Sequence, residues 1–353
     1  MGFMFSYTTI AALLFAASAC GSPVGSDGNA NHKFTCAKEK YRVMFYNVEN
    51  FFDFSDDSLK ADEAFTPAGD MHWTPERFNV KLKNIYKVVI ALGGWQPPDI
   101  IGMCEIENRY VLDELINQTP LVKYPYKVIH EESPDRRGID VALLFNGNTV
   151  QYLDSKQYRI YKPGLVTRNI LYFKALLNRD TCHFLVNHWP SRSAGQLETE
   201  ADRLTAADLL KSITDSLFGI NRTADIIIMG DFNDEPADLS LSIHLKALPY
   251  KGNLVPTRLY NLSTVPKSGD FRGTLKYQGQ WNLFDQIIVS GNLLNPSNGI
   301  HADPRGYVIF GESFLLTPDE QYNGFKPFRT YNGFHYQGGF SDHLPVYIDL
   351  LIY

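Results

Sequence analysis

Residues 226–233 read Ile-Ile-Ile-Met-Gly-Asp-Phe-Asn. Four large apolar residues in a row read as a strand buried on both faces, and Gly230 ends the run. Asp231 and Asn233 then stand just past the strand, where loops of an α/β sheet open a crevice. Taken alone, such an Asp is most often a turn former or a helix cap. The pattern recurs along the chain, however. Asn47 ends RVMFYN, Glu105 follows IIGMC, His188 ends HFLVNH, Asp285 sits in NLFDQIIV, and Asp342-His343 lead into LPVYIDL. Carboxylates, amides and imidazoles gathered at one sheet edge would repel or go unpaired unless a hard cation or a proton relay joins them. Asp285 in particular requires a partner, because an unpaired carboxylate inside an apolar strand is costly.

Outward from these strand ends, short β-rich runs alternate with helical stretches. The runs are 42–47, 100–104, 126–130, 139–145, 172–177, 183–188, 226–230, 284–289 and 346–351. Thr74-Pro75-Glu76 is a helix start, with Leu82, Ile85, Val88, Val89 and Leu92 as its apolar stripe and Gly93-Gly94 as its stop. Further helices are expected over 109–118 and over 198–217, the latter with Leu204, Ala207, Leu210 and Leu217 on one face. This mixed order indicates an α/β sandwich built as one domain over 41–353. Residues 53–73 are acidic and polar and read as a surface loop.

The 353 residues, 44% hydrophobic and 20% charged, are globular values that allow a large core. The formal net charge of −6 counts against tight duplex-DNA binding without excluding a nuclease, since a bound metal brings its own positive charge. Residues 1–20 read as a lipoprotein signal peptide: an apolar core over Thr8–Ala19, then Ala17-Ser18-Ala19-Cys20-Gly21, which resembles a lipobox with Cys20 as the lipidated residue. No Lys or Arg precedes the apolar run, a departure from the usual signal. Residues 21–40 then read as a flexible tether. Cys36, Cys104 and Cys182 show no metal spacing, and the last two lie in apolar strands where a thiol usually just packs. His72, His130, His183, His244, His301 and His335 match no motif and read as surface or satisfied core residues. Glu107 and Asp234 neighbour the strand-end polar residues and read as structural.

FYNVENFFD, IGMCEIEN, RRGIDVALLF, VNHWPSR, IIMGDFNDEP, WNLFDQIIVS and FSDHLPV occur in the order found in the endonuclease/exonuclease/phosphatase superfamily, and the chain resembles its members from Tyr41 to Tyr353. The resemblance implies a deoxyribonuclease I-like four-layer α/β sandwich with two packed mixed sheets flanked by helices. It implies a metal-dependent phosphodiester hydrolase, with Mg²⁺ (or Mn²⁺ or Ca²⁺) as cofactor. Glu105 then looks like the main metal carboxylate, Asn47 a ligand or orienting amide, and Asp342 a further metal contact. Asp231 and Asn233 resemble the pair that orients water and contacts the scissile phosphate. His343 resembles the general base or phosphate-contacting imidazole, with Asp285 fixing its tautomer, and His188 the second histidine. Arg137 and Arg192 are further phosphate contacts, or only surface charges.

The NVENFFD and NHWPSR versions of the motifs look most like bacterial extracellular nucleases. Nucleic acid is therefore the expected substrate and the bacterial envelope, periplasmic or outer-membrane surface, the expected location. A membrane contact is expected through the lipid anchor, and nothing demands a protein partner or more than a monomer. The alternatives are a phosphodiesterase or phosphatase for a lipid or small molecule, and, last, an inactive binding lipoprotein.

Overall fold

Val43 and Phe45 face one way along the first strand and Met44 and Tyr46 the other, and all four are buried. Period-two alternation with both faces apolar demands a layer on each side of the sheet. The computed structural model supplies both layers. It describes residues 40–94, 96–265 and 271–352; the apolar leader, Cys20, most of the tether and Cys36 lie outside the described residues.

The elements in chain order are β1 (Lys40–Phe51), α1 (Pro75–Gly93), β2 (Ile100–Ile106), α2 (Arg109–Asn117), β3 (Tyr126–His130), β4 (Asp140–Asn146), β5 (Val150–Tyr158), β6 (Ile170–Leu177), β7 (Asp180–His188), α3 (Glu200–Ile220) and β8 (Asp225–Asp231). There follow β9 (Ala247–Leu248), β10 (Leu259–Asn261), β11 (Leu275–Tyr277), β12 (Gln280–Asn282), β13 (Asp285–Ser290), β14 (Ile300–Ala302), β15 (Val308–Ile309), β16 (Leu316–Pro318), β17 (Phe325–Pro327), β18 (Tyr331–Asn332), β19 (His335–Tyr336) and β20 (Val346–Ile352). One mixed sheet runs β14-β20-β1-β2-β4-β3, with β15 also on β20, and the other runs β5-β6-β7-β8-β13-β10-β9. The pairs β11–β12, β16–β17 and β18–β19 are separate hairpins.

Phe45, Ile100 and Leu143 of the first sheet meet Phe173, Phe184, Ile227 and Ile287 of the second in one core. Each such side chain taken from water contributes about 1.5–3 kcal/mol. Gly102 lies at this interface, where a Cβ would come 2.9 Å from Met229 Sδ and 3.2 Å from Phe45 Cδ2, so those side chains would have to shift. The outer face of the first sheet packs on α1 and α2 through Met44, Ile101 and Leu144, and that of the second on α3 through Leu185, Ile228 and Ile288. The result is the helix–sheet–sheet–helix sandwich expected from the resemblance.

Several sequence expectations shift. The Thr74 side chain accepts from Arg77 N, and Gly94 ends α1 at φ 68°. The buried α1 stripe includes Lys81 as well as the expected leucines and valines. In α3 the buried face is Arg203, Ala206, Ala207, Leu210, Ile213, Thr214 and Phe218, so Leu204 and Leu217 sit at its margin. The reason is Arg203, whose Nε bonds Asp234 Oδ1 at 2.7 Å and turns the helix toward that carboxylate. β5 escaped the apolar-run reading because it is an edge strand with mostly exposed side chains. β1 starts at Lys40, which pairs with Leu351 and bonds Asp349 at 2.8 Å, so the ordered ladder takes in the last residue assigned to the tether. Residues 53–73 are not merely solvated. Trp73 is buried with its Nε1 on Phe52 O at 3.0 Å, and Phe65 stacks on Phe52 at 4.3 Å.

Candidate active site

Strand direction brings the polar residues to one edge. β1 and β2 run parallel with Asn47 opposite Cys104, and β7 and β8 run parallel with His188 opposite Asp231. β13 starts there instead, with Asp285 opposite Asp231, and β20 begins just after His343. At this edge Asn47 Nδ2 of the first sheet donates to Asp231 Oδ2 of the second at 3.0 Å. The same amide lies 3.2 Å from Glu105 Oε1.

The local backbone is bent to aim these groups. Glu105 has φ 61° and Asn233 φ 51°, in the left-handed region that costs a non-glycine residue of order 1–3 kcal/mol. At Glu105 the ladder with β4 skips a residue between Cys104 and Ile106, a bulge that turns the carboxylate off the strand. Asn50 N then donates to its Oε2 at 2.8 Å. Asn47 Oδ1 accepts from Glu49 N at 2.9 Å, which leaves its NH₂ toward the carboxylates. In this arrangement the Asn47 amide nitrogen faces Glu105 and Asp231, and its oxygen faces Glu49 N.

Asp231 is the centre of the second sheet's share. It is 2% exposed, and its Oδ1 accepts from Asn233 N at 3.0 Å. Asn233 Nδ2 donates to Trp189 O at 3.1 Å, which ties the loop after β8 to the end of β7. His343 Nε2 and His188 Nε2 each lie 3.8 Å from Asp231 Oδ2. Behind His343, Nδ1 meets Asp285 Oδ2 at 2.7 Å, and Ser341 Oγ accepts from the His343 N–H at 3.0 Å. Asp285 is itself set by Tyr307, whose OH donates to its carbonyl at 2.6 Å.

These surroundings push the two imidazoles apart. Burial alone would lower both. At His343 the carboxylates of Asp285 and Asp231 override it and raise the imidazole well above its ordinary value. At His188 burial, then Arg168, lowers it well below, so that ring is neutral. Burial lifts Asp231 to about 6 against the pull of His343.

Sequence reasoning missed three groups here. Arg168 is buried, bonds Asp135 Oδ2 at 3.2 Å and donates to Trp189 O beside His188. Its only local signal is an Arg heading an apolar strand. Arg329 bonds Glu49 Oε1 at 3.0 Å and Asp342 Oδ2 at 2.9 Å. Lys81, fully buried, donates to Thr330 Oγ1 at 2.6 Å and Phe340 O at 2.7 Å, pinning the segments that carry Arg329 and Asp342. Asp342, expected at a metal, thus shares its carboxylate with a guanidinium. The Arg192 guanidinium holds Asn233 O, Asp234 and Asp238, and so braces the Asn233 loop. Arg137 is half exposed, with Nε 3.6 Å from Asp135. Asp234 is structural as read, and Glu107 is buried with Asp53 N on its carboxylate.

The donor chemistry fits a hard divalent cation. Glu105 and Asp342 offer carboxylate oxygens of the kind such an ion takes, while Glu49 is held by Arg329 Nε and Thr330 N, and burial followed by repulsion from Asp342 lifts it to about 7. Asp231, Asp285 and His343 form a second group whose ligand-type atoms lie within 4.8 Å of one another.

A profile described as the Endonuclease/Exonuclease/phosphatase family matches residues 42–351. The chain belongs to that family. Its enzymes are hydrolases of phosphate esters or phosphodiesters and typically use divalent metals. No curated protein matches the chain in sequence. Among solved structures it is similar to an endonuclease/exonuclease/phosphatase family protein from Bacteroides thetaiotaomicron (15% identity, TM-score 0.54, 89% of this chain and 98% of that one). It is also similar to a mannosyl-6-phosphatase from the same organism (16% identity, TM-score 0.56, 88% and 100%). A third likeness is to a humanized D. rerio TDP2 (14% identity, TM-score 0.55, 88% and 98%). At these identities the likeness establishes the fold.

Proposed function

We propose that this chain is a Mg²⁺-dependent nuclease, cleaving phosphodiester bonds of nucleic acid at the bacterial envelope, where lipid on Cys20 tethers it. The observation that carries the hydrolytic part is the line Asp285–His343–Asp231, with 2.7 Å and 3.8 Å spacings at the mouth of two sheets. The nucleic-acid part rests on the NVENFFD and NHWPSR forms of the motifs.

In this reading Asp231, lifted to about 6, takes the proton of the attacking water, because a base works best with its affinity near the working pH. His343, held as imidazolium by Asp285, donates from Nε2 toward the oxygen that leaves the phosphorus. The raised imidazole supports the donor part for His343, where the sequence reading offered general base or phosphate contact. Neutral His188 orients a non-bridging oxygen, and Asn233 fixes Asp231 through its backbone N–H. Glu105, set by Asn47 and Asn50, would hold the cation together with Asp342. When bound, a divalent cation supplies positive charge against the phosphoryl oxygens.

Metal-stripped protein is assayed on plasmid DNA, RNA, sphingomyelin, phosphoinositides and bis(p-nitrophenyl) phosphate, with Mg²⁺, Mn²⁺ or Ca²⁺ restored. Nicking of plasmid or cleavage of RNA that EDTA stops is expected. Rapid lipid hydrolysis with intact plasmid and RNA overturns the nuclease reading, and no turnover on any diester overturns the phosphodiesterase reading. Cys20→Ala should release the protein from the membrane fraction.

A further inference from the structure

His130 was expected to be a surface or satisfied core residue, and it is neither. Its side chain is 3% exposed and that of Asp140 1% exposed, with Nε2 and Oδ2 facing each other at 3.3 Å. Among the described residues, neither atom has a hydrogen-bond partner. Two buried polar atoms turned toward one point without a bond call for a third species between them. Glu132 completes the point: ligand atoms of His130, Glu132 and Asp140 all lie within 4.8 Å of one another. Lys60 does not fill it, since Nζ reaches only Glu132 Oε2 at 3.4 Å and Ser133 O at 3.3 Å.

We propose that His130, Glu132 and Asp140 form a second metal site, built from other residues than the Glu105 site although Asp140 pairs with Ile106 at the same sheet edge, that takes a borderline divalent ion such as Zn²⁺. One imidazole and two carboxylates are a Zn²⁺ ligand set, with water as the fourth ligand, whereas the oxygen donors at Glu105 suit Mg²⁺.

The site would act through a loop. Asp140 Oδ1 accepts from Ser133 N at 2.9 Å, and Asp135 two residues on bonds Arg168 at 3.2 Å, the guanidinium that lies beside His188. An ion at Asp140 therefore ties down residues 131–139, which set Arg168. Its role is to position that loop and not to touch substrate.

The test needs no turnover, so its failure and the failure of the proposed reaction are separable. Full-length, metal-stripped protein in saturating Mg²⁺ is titrated with Zn²⁺ by equilibrium dialysis, and with Co²⁺ by visible absorption. One tight equivalent that Mg²⁺ does not displace is expected, with slower hydrogen exchange over 131–139. His130→Gln and Asp140→Asn should each lose that equivalent. Both positions are buried, so Glu132→Gln, half exposed and safe for folding, is the second arm. It should weaken Zn²⁺ by at least about 10-fold, the cost of losing even an outer-shell partner. No Mg²⁺-resistant equivalent in the parent, or unchanged affinity in Glu132→Gln, overturns the proposal.

Discussion

His343 and His188 stand at the same distance from one carboxylate, 3.8 Å from Asp231 Oδ2, and are held in opposite charge states. What differs is the group behind each ring. Asp285 sits 2.7 Å behind His343, while His188 has Arg168 near it and no partner on Nδ1 among the described residues. Two identical side chains at one site therefore divide the work by their rear contacts. A carboxylate makes one a cation, and burial, with a guanidinium nearby, keeps the other neutral.

The strongest way to break this comparison is to remove His343 or its rear contact. His343→Ala should lower kcat on a diester by about 10²–10⁴-fold, the usual worth of positioned acid–base catalysis. Asp285→Asn should approach the same loss, measured by initial rates. Turnover within threefold of the parent in Asp285→Asn would mean that the rear carboxylate does not set the role.

Arg168→Met attacks the other arm. It takes the buried one of two guanidiniums from Asp135 and leaves half-exposed Arg137 at 3.6 Å, so destabilisation of about 1–3 kcal/mol is expected from denaturant melts. It also removes a positive neighbour, so the His188 imidazole should titrate higher than in the parent by NMR. An unmoved His188 titration would leave burial alone as the cause of its neutrality.

The pH profile sharpens the comparison. Asp231 must be ionised to accept a proton, so kcat/KM should climb with pH through about 6 and level off above it. His343 must stay protonated, so a fall is expected only on the alkaline side, since its imidazole is raised. Asp231→Asn should abolish the acid limb, and its survival in that variant would assign the limb to another group.

Glu107 is the control without a counter-charge, and its expected effect is on stability alone. Burial, with Asp53 and Asp62 nearby, lifts its carboxyl from 4.5 to about 8. An acid raised on folding contributes stability that is complete below about 4.5 and is lost as pH rises through about 8. At about 1.4 kcal/mol per pH unit, Glu107→Gln should gain on the parent by a few kcal/mol between pH 5 and 9. Melting curves at both pH values check it, and a constant difference between the two proteins would show that Glu107 does not titrate in the fold.

Much of this was legible before folding. The strand windows, the Thr74 cap and the polar residues at strand ends are local features, written in periods of two and 3.6 and in capping chemistry. His343 was visible through Ser341-Asp342-His343, and Lys81 could have been noticed as a charge on the apolar stripe of α1. Arg329 could not. It sits between short hairpins, with no periodicity around it, and its partner Glu49 is 280 residues away. That Asp342 shares its carboxylate with this guanidinium was not legible either.

The sequence by itself determined the family, the two-sheet sandwich and the set of strand-end residues, since those follow from local pattern and motif order. Only the tertiary structure decided which of them meet. Asn47 joins Asp231 across 184 positions, and Asp285 rather than Arg168 stands behind His343. Charge state depends on burial and on neighbours within a few ångströms, and neighbours so distant in sequence are set by how the sheets stack.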